Sequence, residues 1–151
     1  MDNIQLTEFI KSIGKDIEIK EGRQYLEVTI LPQNLIPLAR QLRERDEAQF
    51  DYLFCLTGVD YGQDLGVIYH LRSTVHNHAI VLKTRTSDRE QPQLPSVVEL
   101  WKTADFHERE VYDLLGIRFS GHPDMRRLFL DNSWGYPLRK DYVDDINIVT
   151  K

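Results

Sequence analysis

Three β-prone runs follow one another between two segments of helical periodicity, and this order of periods narrows the folds open to the chain. Residues 50–61 are apolar and β-prone, which predicts a buried central strand. Val67-Ile68-Tyr69-His70-Leu71 and Ala79-Ile80-Val81-Leu82 then read as a hairpin. Before them, Leu35, Leu38, Ala39 and Leu42 recur at helical spacing, with Arg40, Arg43, Glu44 and Arg45 largely opposite. Asn34 is the expected cap of that helix, and Pro37 is expected in its first turn, where proline is tolerated. After the hairpin, Thr103 is the expected cap of a second strong helix, which Gly116 stops.

The remaining elements are shorter. Asn3 or Thr7 is expected to cap a helix carrying Leu6, Phe9, Ile10 and Ile13 on one face, ended by Gly14. Residues 16–20 read as a strand, the Glu21-Gly22 turn follows, and Tyr25, Leu26, Val28 and Ile30 mark a second strand. The polar stretch 84–95 is a loop, and Ser96-Val97-Val98-Glu99 has the capping-box pattern of a short helix. The order predicts an α+β two-layer domain over residues 1–120, one mixed or antiparallel sheet with helices packed on one face. Residues 121–151 then form an extended charged C-terminal segment that docks on a partner and is not an independent domain.

At 151 residues the chain is one domain with enough buried surface to fold without staples. Its net charge of -5 argues against a duplex-binding module. Cys55, the only cysteine, lies in the apolar run Leu53-Phe54-Cys55-Leu56 and reads as core packing. A single thiol excludes an internal disulfide and any iron-sulfur cluster or structural zinc built from this chain's own thiolates. No run approaches the roughly 18 apolar residues that span a bilayer, and the first residues lack a signal-peptide pattern. These features predict a protein of the cytosol, or of the cytosolic face of something larger.

Each candidate catalytic or metal motif is incomplete. His107-Glu108 lacks the second histidine of a zincin helix, since position 111 is Val. His76 and His78 with His70 on the partner strand supply three imidazoles, but no nearby acid orients them, and solvent-facing strand residues are the expectation. Glu108 and Glu110 sit two apart on a helix and diverge, so they cannot flank one substrate. Ser120, His122 and Asp124 alternate along one short loop, where a triad's nested bonds cannot form. Gly58, Gly62 and Gly66 recur every four residues with polar residues between them, as in a turn, and no phosphate-binding glycine motif occurs.

The stretch 105–142 remains. Acids (Asp105, Glu108, Glu110, Asp113, Asp124, Asp131, Asp141) alternate there with bases (Arg109, Arg118, Arg126, Arg127, Arg139, Lys140). Tyr112, Phe119, Phe129, Trp134 and Tyr136 lie among them. Interface cores favour aromatics and arginine in such company.

Within it, Glu108-Arg109-Glu110, Asp113-Leu114-Leu115-Gly116-Ile117, Phe119-Ser120-Gly121-His122-Pro123-Asp124, Arg126-Arg127 and Pro137-Leu138-Arg139-Lys140-Asp141-Tyr142 resemble one family. It is the C-type or 30 kDa subunit of respiratory complex I, the proton-translocating NADH:quinone oxidoreductase, with relatives in membrane-bound hydrogenases. Leu56-Thr57-Gly58-Val59-Asp60, Tyr69-His70-Leu71 and His76-Asn77-His78 are similar to the family's central strand and hairpin. Asp131-Asn132-Ser133 and Val143 depart from its pattern.

The resemblance implies a non-catalytic structural subunit of the quinone module in the peripheral arm, on the cytoplasmic side of the membrane. It implies no cofactor in this chain: NADH, FMN, iron-sulfur clusters and quinone belong to the rest of the complex. The D-type subunit of complex I is the implied main partner, with the B-type and other peripheral-arm subunits beside it. Candidate interface residues are Glu108, Arg109, Glu110, Tyr112, Asp113, His122, Asp124, Arg126, Arg127, Trp134, Arg139, Lys140, Asp141 and Tyr142. Two other functions stay open at this point: the equivalent subunit of a membrane-bound hydrogenase or ferredoxin-driven relative, and a free-standing small enzyme.

Overall fold

The computed structural model describes residues 2–126 and 135–140. Helix α1 (Asn3–Ile13) is followed by strands β1 (Glu18–Glu21) and β2 (Leu26–Thr29), helix α2 (Pro32–Glu44) and strands β3 (Tyr52–Asp60), β4 (Leu65–Arg72) and β5 (Ala79–Thr86). A short strand β6 (Gln93–Pro95), helix α3 (Ala104–Leu115) and strand β7 (Arg118–Ser120) complete the order.

The five-stranded sheet runs β1-β2-β5-β4-β3. It is mixed because β2 pairs parallel with β5, while the other neighbours are antiparallel. Beside it, β6 and β7 pair parallel in a two-stranded sheet. The α+β class read from the order of periods is therefore the observed one.

Alternation along the strands builds one core face. Leu26 and Val28 of β2, Ile80 and Leu82 of β5, Val67, Tyr69 and Leu71 of β4, and Leu53 and Leu56 of β3 are all buried there. Leu6 and Ile10 of α1, Leu35, Leu38 and Leu42 of α2, and Val111 and Leu115 of α3 join the same core. Each such side chain contributes about 1.5–3 kcal/mol when fully buried. The opposite face carries Glu27, Lys83 and Arg85 at one end and the Tyr25, Phe54 and His70 rings at the other.

Several local expectations are corrected. The cap of α1 is Asp2, whose carboxylate accepts the Gln5 N–H at 2.9 Å while its own N–H donates to Gln5 Oε1, a reciprocal box that neither Asn3 nor Thr7 offers. Helix α2 begins two residues earlier than Asn34, at Pro32, whose fixed φ suits the first helical position. Asn34 donates its amide to the Lys15 carbonyl at 3.4 Å instead, and Pro37 falls in the second turn.

Strand β3 lies at the sheet edge and not at its centre. It reads as apolar on both faces because α3 covers one and Tyr52 and Phe54 join an aromatic shelf on the other. Ser96 starts no helix: residues 98–100 form a turn, and the Ser96 hydroxyl is spent on Glu108. His76 and His78 sit in the β4–β5 turn and not on a strand. His78 is buried against the Phe50 ring, and the two histidines reach the Asp46 and Ala48 carbonyls at 2.7 and 2.8 Å, stapling the α2–β3 loop to that turn.

Candidate functional site

Helix α3 organises the charged region. Its axis follows β3 in the same direction, since the Thr103 hydroxyl donates to the Leu53 carbonyl at 3.0 Å and Leu115 packs on Gly58. Gly116 ends it with φ 79°, the left-handed conformation that glycine tolerates, and a Cβ there would lie 2.7 Å from the Tyr136 ring. Orphan carbonyls at this end need donors from elsewhere.

The segment 135–140 supplies them. The Leu138 N–H donates to the Leu114 carbonyl at 3.0 Å. Arg139 Nε donates to the Leu115 carbonyl at 2.6 Å, and its Nη1 donates to the Arg89 carbonyl at 3.1 Å. A guanidinium at a helix C-terminus also meets the negative end of the helix dipole. The same guanidinium lies 5.0 Å from the centre of the Tyr136 ring.

One step further, the Lys140 N–H donates to Asp60 at 2.8 Å, and Arg89 grips that carboxylate with both prongs at 2.7 and 2.9 Å. The Arg89 fork holds the Asp60 carboxyl well below the usual carboxylate range, against the opposing push of burial and with help from the Lys140 and Gly62 N–H groups. Sequence reasoning misses Asp60 and Arg89 as site residues. Asp60 carries a signal: an acid closing an apolar strand, in phase with the core face at Leu56. Arg89 carries none, since it stands in a polar loop like any other arginine.

Glu108 is fully buried. One carboxyl oxygen accepts the Ser96 hydroxyl at 2.6 Å and the other accepts the Val97 N–H at 2.9 Å. Burial pushes its pKa up to about 7, over the opposing effect of those two bonds, and the Asp105 charge adds to the rise. Burial and the nearby Glu108 also push the Tyr69 phenol far up. The arrangement ties α3 to the entry of the β6–α3 connection.

His122 bridges the far side. Its Nδ1 accepts the Asp124 N–H at 2.9 Å, so Nε2 carries the proton, which it donates to the Asp105 carbonyl at 3.3 Å while lying 2.9 Å from Asp105 Oδ1. Tyr112 is buried under the Arg118 guanidinium, 5.3 Å from its ring centre.

The fourteen candidates thus fall into three groups by position. Glu108, Tyr112, Asp113, His122 and Arg139 are turned into the chain, with Asp113 fully buried. Arg109 and Glu110 are half-buried, and Asp124, Arg126 and Lys140 are exposed, with Asp124 and Arg126 paired locally at 3.0 Å. Arg127, Trp134, Asp141 and Tyr142 lie outside the described residues. Among the described residues, no group of His, Cys, Asp or Glu side chains comes together as a metal-ligand set, and no helix is long and apolar enough to cross a membrane.

A family model described as respiratory-chain NADH dehydrogenase, 30 Kd subunit, matches residues 28–145. The chain is 57% identical over 108 residues to the C/D-type NADH-quinone oxidoreductase subunit of Phocaeicola vulgatus, a match covering 70% of this chain and 21% of that one. It is 53% identical over 104 residues to the C-type subunit of Chloroherpeton thalassium, covering 67% of this chain and 43% of the relative. Against the C-type subunit of Roseiflexus castenholzii it is 43% identical over 125 residues, covering 80% and 71%. The chain therefore spans about a fifth of the length of its C/D-type relatives. A chain in the structure of a membrane-bound sulfane sulfur reductase, an archaeal respiratory membrane complex, superposes with a TM-score of 0.80 at 24% identity, covering 94% of this chain and 86% of that one, and shares its fold.

Proposed function

Because the chain belongs to the family of the 30 kDa subunit of respiratory-chain NADH dehydrogenase, we propose that it is a non-catalytic structural subunit in the quinone module of an NADH:quinone oxidoreductase. Its main partner is the D-type subunit. The observation that carries this reading is the C/D name of the relatives from Phocaeicola and Bacteroides, in which the matching stretch belongs to one polypeptide with the D-type part. Two domains made as one chain are held at a high effective concentration, as befits a permanent contact.

The role is positional. Electron transfer to quinone requires fixed distances between centres, and rigid elements keep them. The internal bonds of Asp60, Arg89 and Arg139 make this protein stiff where α3 meets the segment 135–140, and those of Glu108 fix the same helix to Ser96 and Val97. The half-buried Arg109 and Glu110 and the exposed Asp124, Arg126 and Lys140 are the groups that grip the D-type partner, and Arg127, Trp134, Asp141 and Tyr142, outside the described residues, are the remaining candidates for that contact. NADH, FMN, the iron-sulfur clusters and quinone are held by other subunits, the B-type one among them. The protein sits on the cytoplasmic side of the membrane, attached through the complex.

Affinity purification of the tagged chain from gently solubilised membranes, followed by mass spectrometry, tests this. The D-type partner and the cluster-bearing subunits are expected to co-purify, and Arg127→Ala is expected to lower the amount of intact complex on native gels. A solitary monomer from such membranes would overturn the reading.

A further inference from the structure

We infer that the free edge of β3, together with the overhanging flank of α3, receives an extended segment of the neighbouring protein of the complex as a sixth strand, with Glu110 pairing to a Lys or Arg on that segment. The inference rests on the reading of the chain as part of a complex and adds where, and in what conformation, a partner binds.

The hydrogen-bond phase of the hairpin fixes which amides face outward. The Tyr61 N–H donates to the Asp64 carbonyl at 2.8 Å, so this pair closes the ladder. Bonded and non-bonded pairs alternate from there. Val59↔Gly66, Thr57↔Ile68 and Cys55↔His70 are bonded, whereas Gly58↔Val67 and Leu56↔Tyr69 are not. Leu56 and Gly58 therefore aim their N–H and C=O groups away from β4, off the sheet. Among the described residues their outward groups bond to nothing.

Proteins guard such edges with lysine, proline, bulges or cover. Residues 52–59 hold no charge and no proline. A bulge between Leu53 and Cys55 blunts only the first part of the strand, and the Thr103 hydroxyl already takes the Leu53 carbonyl. Beyond the bulge the edge is regular and, among the described residues, unguarded.

Helix α3 forms a wall above it. Glu108 points toward Ser96, which places the flank with Asp105 and Tyr112 over the β6–β7 side. The opposite flank, Thr103, His107, Glu110 and Leu114 at i, i+4, i+7 and i+11, then overhangs the free edge, in line with the Thr103–Leu53 bond. The Glu110 carboxylate is half-buried and has no partner among the described residues. A strand added about 4.8 Å from β3 would run beneath this flank. Outward amides and carbonyls match any extended backbone, alternate apolar side chains fit under Leu114, and the unpaired carboxylate selects a cation.

Hydrogen exchange by NMR on the full chain, alone and co-purified with the D-type partner, tests the inference. In the chain alone, the Leu56 and Gly58 amides are expected to exchange quickly while those of Thr57 and Val59 are protected by β4. In the complex, Leu56 and Gly58 are expected to slow by at least about tenfold. Glu110→Lys is expected to weaken association by about tenfold or more, with Glu110→Gln giving a smaller loss should the charge reversal misfold. A complex that forms with Leu56 and Gly58 still exchanging freely overturns strand addition and leaves the partner assignment standing. Failure to associate at all overturns both. Protection of the two amides in the chain alone also overturns it: as a dimer, it gives the edge to a second copy, and as a monomer, to the chain's own segment.

Discussion

Asp60 and Lys140 are eighty positions apart, and the Asp60 carboxylate accepts the Lys140 backbone N–H at 2.8 Å. The same carboxylate takes both prongs of Arg89 and the Gly62 N–H at 2.8 Å. One side chain at the end of β3 thus holds the loop after β5 and the segment 135–140 together.

Asp60→Asn is expected to cost about 2–4 kcal/mol at pH 7, because Arg89 keeps its charge and loses the carboxylate. The folded pKa of Asp60 lies below its ordinary value of 3.8, so its stabilisation is present in full above that value and is lost as pH falls below it. The gap between wild type and variant should shrink from pH 7 to pH 3. Urea denaturation at both pH values measures it, and a gap that does not depend on pH would contradict the role of the charge.

Arg139→Ala should free the segment 135–140 from the end of α3. Its guanidinium donates to the Leu115 and Arg89 carbonyls together, a span that an ammonium cannot cover. A loss of about 2 kcal/mol lowers Tm by roughly 4–8 °C in a domain of this size. Arg139→Lys is expected to recover less than half of it. Proteolysis near the C-terminus should quicken in the order wild type, Lys, Ala.

The sequence is legible where periodicity carries the message and opaque where one side chain serves two elements. Helix α3 and its Gly116 stop, the β4–β5 hairpin and the α+β class follow from period and punctuation alone. The edge position of β3 does not, because a strand covered by a helix on one face and by Tyr25, Phe54 and His70 on the other has the apolar content of a central one. Ser96 looks like a helix cap and starts no helix, and Thr103 does stand at the N-cap of α3, yet each hydroxyl is captured by a tertiary acceptor, Glu108 and the Leu53 carbonyl. The charged block is visible in the sequence only as a block. That Glu108 turns inward and Glu110 outward emerges once the helix is set on the sheet.

Glu108→Gln should change how stability depends on pH. A buried carboxyl with a folded pKa near 7 binds its proton more tightly than the unfolded chain does, where the ordinary value is 4.5. Stability is therefore full at and below pH 4.5 and falls as pH rises through 7. The loss is of order 3 kcal/mol between those limits. Gln keeps an acceptor for Val97 and a neutral group beside Ser96, so the variant should match wild type near pH 5 and exceed it near pH 8. Denaturation curves at the two pH values decide this, and equal slopes with pH would place the ionisation elsewhere.

Gly58→Ala tests whether the end of α3 is seated by contact with β3. A Cβ at position 58 would lie 2.5 Å from Leu115 Cδ1 and 2.8 Å from Val111 Cγ1, so the helix must lift or its side chains must move. Overpacking of this kind costs about 1–3 kcal/mol. Leu115 is also the residue whose carbonyl binds Arg139, so a lifted helix end should loosen the segment 135–140 as well. Leu115→Val removes a methylene at the contact, and the double variant should be more stable than the sum of the single losses allows. A coupling of about 0.5 kcal/mol or more in that cycle ties the two positions together. Additive losses would mean that the helix end is positioned by Arg139 and its neighbours and not by the glycine beneath it.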